Sequence, residues 1–205
     1  MNPIQSEKEQ FAPVVLLLDE RILNETVGQI RRILSSRLGR PLPDLDLIFW
    51  LEYVALDAGI RPGSNKLQVL LVAHELHSTL RGVIPSSLAQ LDGKACTSNL
   101  GEWNFSVVPS AHLTSGHALF ANLMELVMDA SEVETLLLLP FPDEQATGEV
   151  ATQLTKIYDA QQTEQKEKRV VYFHLQPLPQ PIPCPCESLV FSLMKALGIR
   201  EEDFQ

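Results

Sequence analysis

Apolar residues occur in short runs along the chain with few polar interruptions, and polar segments separate one run from the next. Runs of this kind, too short for long helices and lacking polar alternation, are typical of strands that a parallel sheet buries on both faces. They predict strands at residues 14–18, 67–73, 133–139 and 170–175. Residues 102–108 instead alternate apolar and polar side chains, which predicts a half-exposed strand at or near a sheet edge.

Apolar residues spaced three and four apart predict helices between these strands. We expect helices at residues 24–38, 44–58, 114–130, 148–160 and 188–197. Asn24 and Asp44 are the expected N-caps of the first two. The alternation predicts a three-layer, Rossmann-like α/β fold with about five mostly parallel strands and helices on both faces. The strand that begins at Val14 is expected at its centre.

The chain of 205 residues is expected to form one α/β domain spanning residues 1–205. Residues 1–12 are expected to be a flexible arm. Residues 176–187 carry a proline at almost every second position, which excludes a helix or a central strand. We expect this segment to be an extended connector to the C-terminal helix, and the two together could form a separate lobe or an oligomer arm.

The composition, 45% hydrophobic and 20% charged, fits a globular protein, and the formal net charge is −10. An acidic surface repels phosphate backbones and anionic membranes, which argues against non-specific nucleic-acid binding. Three cysteines are too few for a disulfide scaffold, so a cytoplasmic location is expected. The charges at Glu7, Lys8 and Glu9 do not fit a secretory signal, and no apolar run approaches the ~20 residues of a membrane span.

Acidic residues follow several of the predicted strands. Asp19 and Glu20 follow the first strand, Glu75 follows the second, and Asp143 and Glu144 lie just beyond a later one. Since the carboxyl ends of parallel strands meet at one edge of a sheet, these acids can converge there. Clustered carboxylates bind a hard cation such as Mg²⁺, which activates water for phosphodiester attack. The simpler interpretation is that these acids cap helices and start loops.

The order of these features resembles a PIN/NYN-type nuclease domain, with an acid after the first strand, Asn24 near the next helix start, and Asp143 after the fourth strand. The turn Pro140–Gln145 stands where that family has a Ser-Gly-Asp turn. The resemblance implies a 3-2-1-4-5 strand order and a Mg²⁺- or Mn²⁺-dependent ribonuclease that binds RNA. It also implies catalytic roles for Asp19 and Asp143, and metal ligation by Asp19, Asp143 and Glu144.

Three other stretches resemble an uncharacterised family of proteins from Bacteroidetes. They are Ala55–Gly63, Asn99–Glu102 and Leu193–Ile199. No activity comes with this resemblance, which bears on fold and origin only.

Other groups of reactive residues lack the spacing of a known site. His74 and His77 stand three residues apart, whereas the zincin motif needs four. Cys184 and Cys186 are separated by one proline and Cys96 is distant, which does not supply the four ligands of a structural zinc site. We expect unreactive or packing cysteines. The arginines at 21, 31, 32, 37 and 40 form a local cationic region that could receive an acidic partner, although a solvated helix face is the simpler interpretation.

Because no set of catalytic residues is complete, the first expectation is a non-catalytic interaction or scaffold domain. The helix predicted at 44–58 is apolar on nearly all faces, which fits a core helix or a surface covered by another chain. Together with the proline-rich segment, it suggests a homodimer. The metal-dependent nuclease is the alternative, so whether the protein is an enzyme stays open. A small-ligand site at the carboxyl ends of the strands is a third interpretation.

Overall fold

The computed structural model describes residues 10–74, 78–110, 115–160 and 168–204. The strands within these ranges are β1 Val14–Asp19, β2 Leu45–Asp46, β3 Asn65–Ala73, β4 Val83–Ile84, β5 Ala95–Ser98, β6 Gly101–Pro109, β7 Thr135–Leu139, β8 Arg169–His174 and β9 Cys186–Ser188. The helices are a π-helical segment Ile22–Val27, α1 Gly28–Leu38, α2 Leu47–Asp57, α3 Leu88–Leu91, α4 Gly116–Asp129, α5 Glu144–Ala160, α6 Leu189–Ala196 and a 3₁₀ turn Glu201–Phe204. None of the described helices has the length and apolar character that crossing a membrane requires.

Seven of the described strands form one sheet in the order β5-β6-β3-β1-β7-β8-β9, with β1 at its centre. Neighbouring strands are parallel except for β5 and β6. The α/β class with a mostly parallel sheet is therefore confirmed, whereas the expected number of about five strands was too low. The two extra strands, β5 and β9, are four and three residues long, too short to give an apolar run. The five longest strands of this sheet follow the 3-2-1-4-5 order.

The strand predicted at residues 102–108 is β6, which lies next to the edge strand β5. It pairs in parallel with β3 along its whole length and antiparallel with β5 at its start. The period of two in its side chains is kept, since Trp103 and Phe105 are buried while Glu102 and Asn104 are exposed. β2 and β4 form a separate parallel pair of two residues each, outside the main sheet.

Strand β1 is buried on both faces, and its alternate side chains enter two different cores. Leu16 and Leu18 belong to the core that α2 and α6 cover. Val15 and Leu17 belong to the core that α4 and α5 cover. Burial of one such aliphatic side chain contributes about 1.5–3 kcal/mol, so an entirely apolar strand is favoured at the centre of the sheet.

The starts of two helices differ from the expected N-caps. Asn24 lies inside the π-helical segment, and its Oδ1 accepts a hydrogen bond from the backbone N–H of Arg81 at 2.9 Å. The cap of α2 is Asp46, whose Oδ1 accepts from the N–H of Phe49 at 3.0 Å. Asp44 forms an ion pair with α1 instead. Both expected caps are wrong because these polar side chains bind partners that are distant in the chain.

The proline-rich segment, residues 176–187, is packed on the domain. Leu178 and Ile182 contact the core that α4 and α5 cover, and the segment ends by entering β9, which pairs with β8. Its apolar residues are therefore partly buried against this core. Of the expected N-terminal arm, residues 1–9 lie outside the described ranges, while Phe11 packs against this core.

Candidate functional site

The end of β1 places Asp19 at the carboxyl edge of the sheet, next to the end of β7. Its side chain is 4% exposed and is bound by Arg21, two residues further along the chain. Arg21 donates to Asp19 Oδ1 from its backbone N–H at 2.9 Å and from Nε at 3.0 Å, and to Oδ2 from Nη2 at 2.7 Å. One arginine therefore engages both oxygens of the carboxylate, in the bidentate geometry of the stronger charge-assisted hydrogen bonds.

The guanidinium of Arg21 also faces the turn that follows β7. Its Cζ lies 4.2 Å from the centre of the Phe141 ring, and its Nη1 lies 4.0 Å from Asp143 Oδ2. Burial acts to lower the pKa of Arg21, but the hydrogen bonds to Asp19 and the charge of Asp19 outweigh it and raise the pKa. Arg21 thus lies between Asp19 and Asp143 as a permanent cation.

Asp143 caps α5. Its Oδ1 accepts from the N–H of Ala146 at 2.6 Å, and its backbone carbonyl accepts from the hydroxyl of Thr147 at 2.8 Å. Asp143 Oδ2 lies 3.1 Å from His117 Nε2, a distance that suits an ion pair with a protonated imidazole, but the two groups are not aligned as a hydrogen bond. Glu144 is exposed in the first turn of α5, where the helix dipole favours an acid.

The structure brings Asp19 and Asp143 to opposite sides of one guanidinium, while Glu144 faces solvent. Among the described residues, no three His, Cys, Asp or Glu side chains are grouped so that they could hold a metal ion. A Mg²⁺ or Mn²⁺ ion at Asp19 would have to displace Arg21 from both carboxylate oxygens. As arranged, these residues do not fit the ion that the nuclease resemblance implies, and the catalytic roles predicted for Asp19 and Asp143 gain no support.

Glu20 follows Asp19 directly but faces the end of β3. Its Oε1 accepts from the backbone N–H of His74 at 2.9 Å. Its Oε2 is buried and has no hydrogen-bond partner among the described residues. Burial raises the pKa of Glu20, and the charge of Asp19 adds to this against the opposing effect of the hydrogen bond from His74. Sequence reasoning grouped Glu20 with Asp19, but the two carboxylates have different partners, the backbone N–H of His74 for Glu20 and Arg21 for Asp19.

Comparison with known proteins gives a family and no activity. A model described as a family of unknown function, DUF6621, matches residues 8–204 of the chain. The chain belongs to this family. No curated protein matches the chain, and no solved structure matches it. The expected membership of an uncharacterised family is confirmed, and nothing in these comparisons supports a nuclease.

The arginines of the first helix are largely engaged within the chain. Beside the pair with Asp19, Arg31 pairs with Asp44 at 2.9 Å and Arg40 pairs with Asp203 at 3.0 Å. The second of these pairs connects the end of α1 to the C-terminal 3₁₀ turn. The cationic region expected from the sequence is therefore partly neutralised before any partner binds.

The three cysteines are free thiols. Burial, and then the charge of Cys186, raises the pKa of Cys184 to about 12. Burial also raises the pKa of Cys96 and of Cys186. A raised pKa keeps a thiol protonated and unreactive, as expected for packing cysteines. Of the histidine motif, His77 lies outside the described residues.

The sequence offered the helix at 44–58 as a surface that another chain could cover, but sequence reasoning missed the contribution of α6. Exposed Phe49, Val190 and Phe191 and the partly exposed Tyr53 lie on these two helices, and we call them the α2–α6 surface. The side chain of Phe191 is 72% exposed. Phe49 and Tyr53 stack edge to face, with ring centres 4.9 Å apart. One feature of the sequence indicates the exposure of Phe191. The buried stripe of α6 is 189, 193 and 197, and Phe191 falls midway between two members of that stripe, on the opposite helix face.

Proposed function

We propose that this protein is a non-catalytic interaction domain that assembles as a homodimer through the α2–α6 surface. The observation that carries the proposal is the exposure of Phe191, 72%, in a helix whose other face is buried. Adjacent exposed apolar side chains on a folded protein mark contact sites for another chain. Aromatic anchors of this kind supply much of the binding free energy in protein interfaces.

The two helices are antiparallel, which joins their exposed faces into one surface. Trp50 Nε1 in the first half of α2 donates to Ser192 Oγ in the middle of α6 at 3.3 Å. At the other end of α2, Asp57 is close enough to Glu187 for their charges to interact. Phe49 and Phe191 each directly precede one of the two hydrogen-bonded residues in the chain.

Charges on either side of Phe191 favour a second copy of the chain as the occupant. Glu187 in β9 lies four residues before Phe191, Lys195 in α6 lies four residues after it, and both are exposed. In a two-fold contact, residue i of each copy meets residue j of the other. An antiparallel contact of two α6 helices centred on Phe191 therefore brings Lys195 of each copy to Glu187 of the other. Asp57, which adjoins Glu187, strengthens the attraction for that lysine.

The non-catalytic part of the proposal is supported by the intramolecular roles of the acids at the sheet edge. Asp19 is neutralised by Arg21, and Asp143 caps α5. We further propose a cytoplasmic location, which the three free thiols support. Cleavage of RNA that requires Mg²⁺ or Mn²⁺, is lost in Asp19→Asn and is kept in the exposed control Glu102→Gln would overturn the non-catalytic reading in favour of the nuclease.

Sedimentation velocity of the full chain over a dilution series tests the interface. We expect a dimer whose dissociation constant rises roughly 30-fold or more in Phe191→Ala, as for a central aromatic anchor. The matched control is Leu126→Ala, since Leu126 is 58% exposed on α4, a helix on the other face of the sheet. A wild-type monomer at every concentration, or equal effects of the two substitutions, contradicts the proposal.

A charge exchange tests the orientation of the two copies. Lys195→Glu and Glu187→Lys should each weaken the homodimer, because each places like charges together across the contact. Mixing these two single variants should restore association, and so should the double variant Glu187→Lys/Lys195→Glu. Failure of both rescues, with a wild-type dimer present, excludes the antiparallel contact about Phe191.

A further inference from the structure

A second cavity, of about 200 Å³, lies at the carboxyl ends of β7 and β8, and every residue of its wall belongs to the described ranges. The wall is built by the turn after β7, the start of α5, the end of β8 and the first residues of the proline-rich segment. In open α/β sheets, small ligands bind outside the carboxyl ends of the strands. None of the wall residues belongs to the α2–α6 surface, so the cavity does not depend on the proposed homodimer.

Much of the wall is apolar and can be reached from solvent. Pro140 and Pro142 come from the turn after β7, and Pro177 and Pro179 come from the proline-rich segment. Pro177 and Pro179 are exposed, and Pro142 is half-buried. Proline rings present apolar faces, and the C–H groups beside their nitrogen suit the negative face of an aromatic ring. This wall therefore favours a flat aromatic ligand.

The volume of the cavity fits a single aromatic ring. An engineered apolar cavity of about 150 Å³ binds benzene. A cavity of about 200 Å³ can hold a ring of that size with one small substituent.

The two buried hydroxyl groups of the wall donate their protons within the chain. Thr147 donates to the backbone carbonyl of Asp143 at 2.8 Å, which uses its only hydroxyl proton. Tyr172 Oη lies 3.3 Å from Thr147 Oγ1, so Tyr172 is the donor in that contact. Burial raises the pKa of Tyr172, and its hydroxyl therefore stays protonated. Neither hydroxyl has a proton left for a ligand.

His174 provides an acceptor that solvent can reach. It is half-buried, and its Nδ1 lies 3.0 Å from the backbone carbonyl of Gln176. A carbonyl only accepts, so Nδ1 carries the proton, and Nε2 of the neutral ring is an acceptor. The exposed carboxylate of Glu144 is a further acceptor on the same wall. Since the four prolines have no N–H, a ligand in this cavity has to bring its own donor.

We propose that this cavity binds a small, uncharged aromatic ring that carries an amino group. The amino N–H donates to Nε2 of His174, and the ring packs between the prolines of the two segments. The carboxylates of Asp143 and Glu144 on the wall disfavour an anion.

Titration of the ¹⁵N-labelled full chain with 2-aminopyrimidine and with pyrimidine tests the proposal, since only the first compound carries the amino group. We expect saturable amide shifts at Glu144, His174 and Leu178, and an affinity for 2-aminopyrimidine roughly fivefold higher, the effect of one hydrogen bond. His174→Phe keeps a ring but removes the acceptor, so it should abolish this advantage and leave the binding of pyrimidine. The control Tyr53→Phe removes a polar ring atom at a half-buried position of α2 and should bind both compounds as the wild type does.

Intermolecular nuclear Overhauser effects give a readout that needs no variant. The ring protons of bound 2-aminopyrimidine should show these effects with the ring protons of Pro142 and Pro179. Four results overturn the proposal. They are equal affinities of the wild type for the two compounds, an unchanged advantage of 2-aminopyrimidine in His174→Phe, Overhauser effects confined to residues outside the cavity, and tighter binding of benzoate at the same amides. Absence of any saturable shift also overturns it and leaves water as the occupant.

Discussion

Arg21 binds both carboxylate oxygens of Asp19, although the two residues are only two positions apart in the chain. The pair stands at the tip of the central strand. The same guanidinium lies over the Phe141 ring and faces Asp143, so it connects β1 to the turn that leads into α5. An acid that looks available for a cation in the sequence is therefore part of an internal ion pair that joins two elements of the fold.

Removal of this arginine should destabilise the protein. In Arg21→Ala the buried carboxylate of Asp19 loses its partner, and we expect a loss of about 3 kcal/mol in the free energy of unfolding. The value lies at the low end for a buried pair because the side chain of Arg21 is 30% exposed, so water can reach part of the site. Urea unfolding followed by tryptophan fluorescence measures it, since Trp50 and Trp103 are fully buried.

Two controls test whether the loss of stability comes from the Asp19–Arg21 pair and not from the removal of any arginine. Arg37→Ala, at an exposed position of α1, should change the free energy of unfolding by less than about 0.5 kcal/mol. The double variant Asp19→Asn/Arg21→Ala should lose less than the sum of the two single variants, because the charge left behind is removed with its partner. Additive losses would show that Asp19 and Arg21 act independently.

Glu20 should make stability depend on pH. Its pKa in the folded state is raised, chiefly by burial, so the folded state binds the proton more tightly than the unfolded state does. The free energy of unfolding contributed by Glu20 is then highest at low pH and falls as pH rises from the unfolded pKa through the folded one. Glu20→Gln removes the cost of burying an ionised carboxylate. Its free energy of unfolding, relative to that of the wild type, should therefore increase as pH rises.

Urea unfolding at a series of pH values measures the difference in the free energy of unfolding between Glu20→Gln and the wild type. Glu144→Gln is the matched control, since Glu144 is exposed, and its difference from the wild type should stay nearly constant. A difference for Glu20→Gln that does not change with pH, or that favours the wild type increasingly at high pH, would be evidence against the burial of Glu20.

Cys184 should resist alkylation in the folded protein. Its pKa of about 12 leaves almost no thiolate near neutral pH. Iodoacetamide at about pH 8 should modify it roughly a thousandfold more slowly than in the unfolded chain, where a cysteine has an ordinary pKa of about 8.5. Peptide mass spectrometry against time, with the urea-unfolded protein as control, measures both rates. Equal rates in the two states would contradict the partly buried placement of this thiol.

The long strands could be predicted from the sequence because each of them contains its own hydrophobic pattern. Five successive apolar residues in β1 and four in β7 are buried, as an uninterrupted apolar run predicts. The short strands β5 and β9 carry no such signal, since their burial alternates and their pairing depends on β6 and β8 already being in place. Local pattern predicts an element only where that element is stabilised by its own side chains.

The positions of the candidate site residues could be predicted from the sequence, but their contacts could not. The sequence placed Asp19, Glu20 and Asp143 at strand ends, and all three do lie at the carboxyl edge of the sheet. It could not show that Arg21 folds back onto Asp19 or that Glu20 faces β3, because side-chain direction at a strand end is set by neighbouring strands. The exposure of Phe191 was not predicted, because the apolar stripe of a helix indicates its buried face and Phe191 lies outside that stripe.

The sequence by itself determined the α/β class, the central place of Val14–Asp19 and the absence of a complete catalytic motif. These follow from hydrophobic period and residue spacing, which are local properties of the chain. Only the tertiary structure decided what each charged or apolar side chain meets. Asp19 meets Arg21, Glu20 Oε2 meets no hydrogen-bond donor among the described residues, and Phe191 meets solvent. Those partners come from residues brought together by β7, β3 and α6, and packing between distant segments leaves no trace in local periodicity.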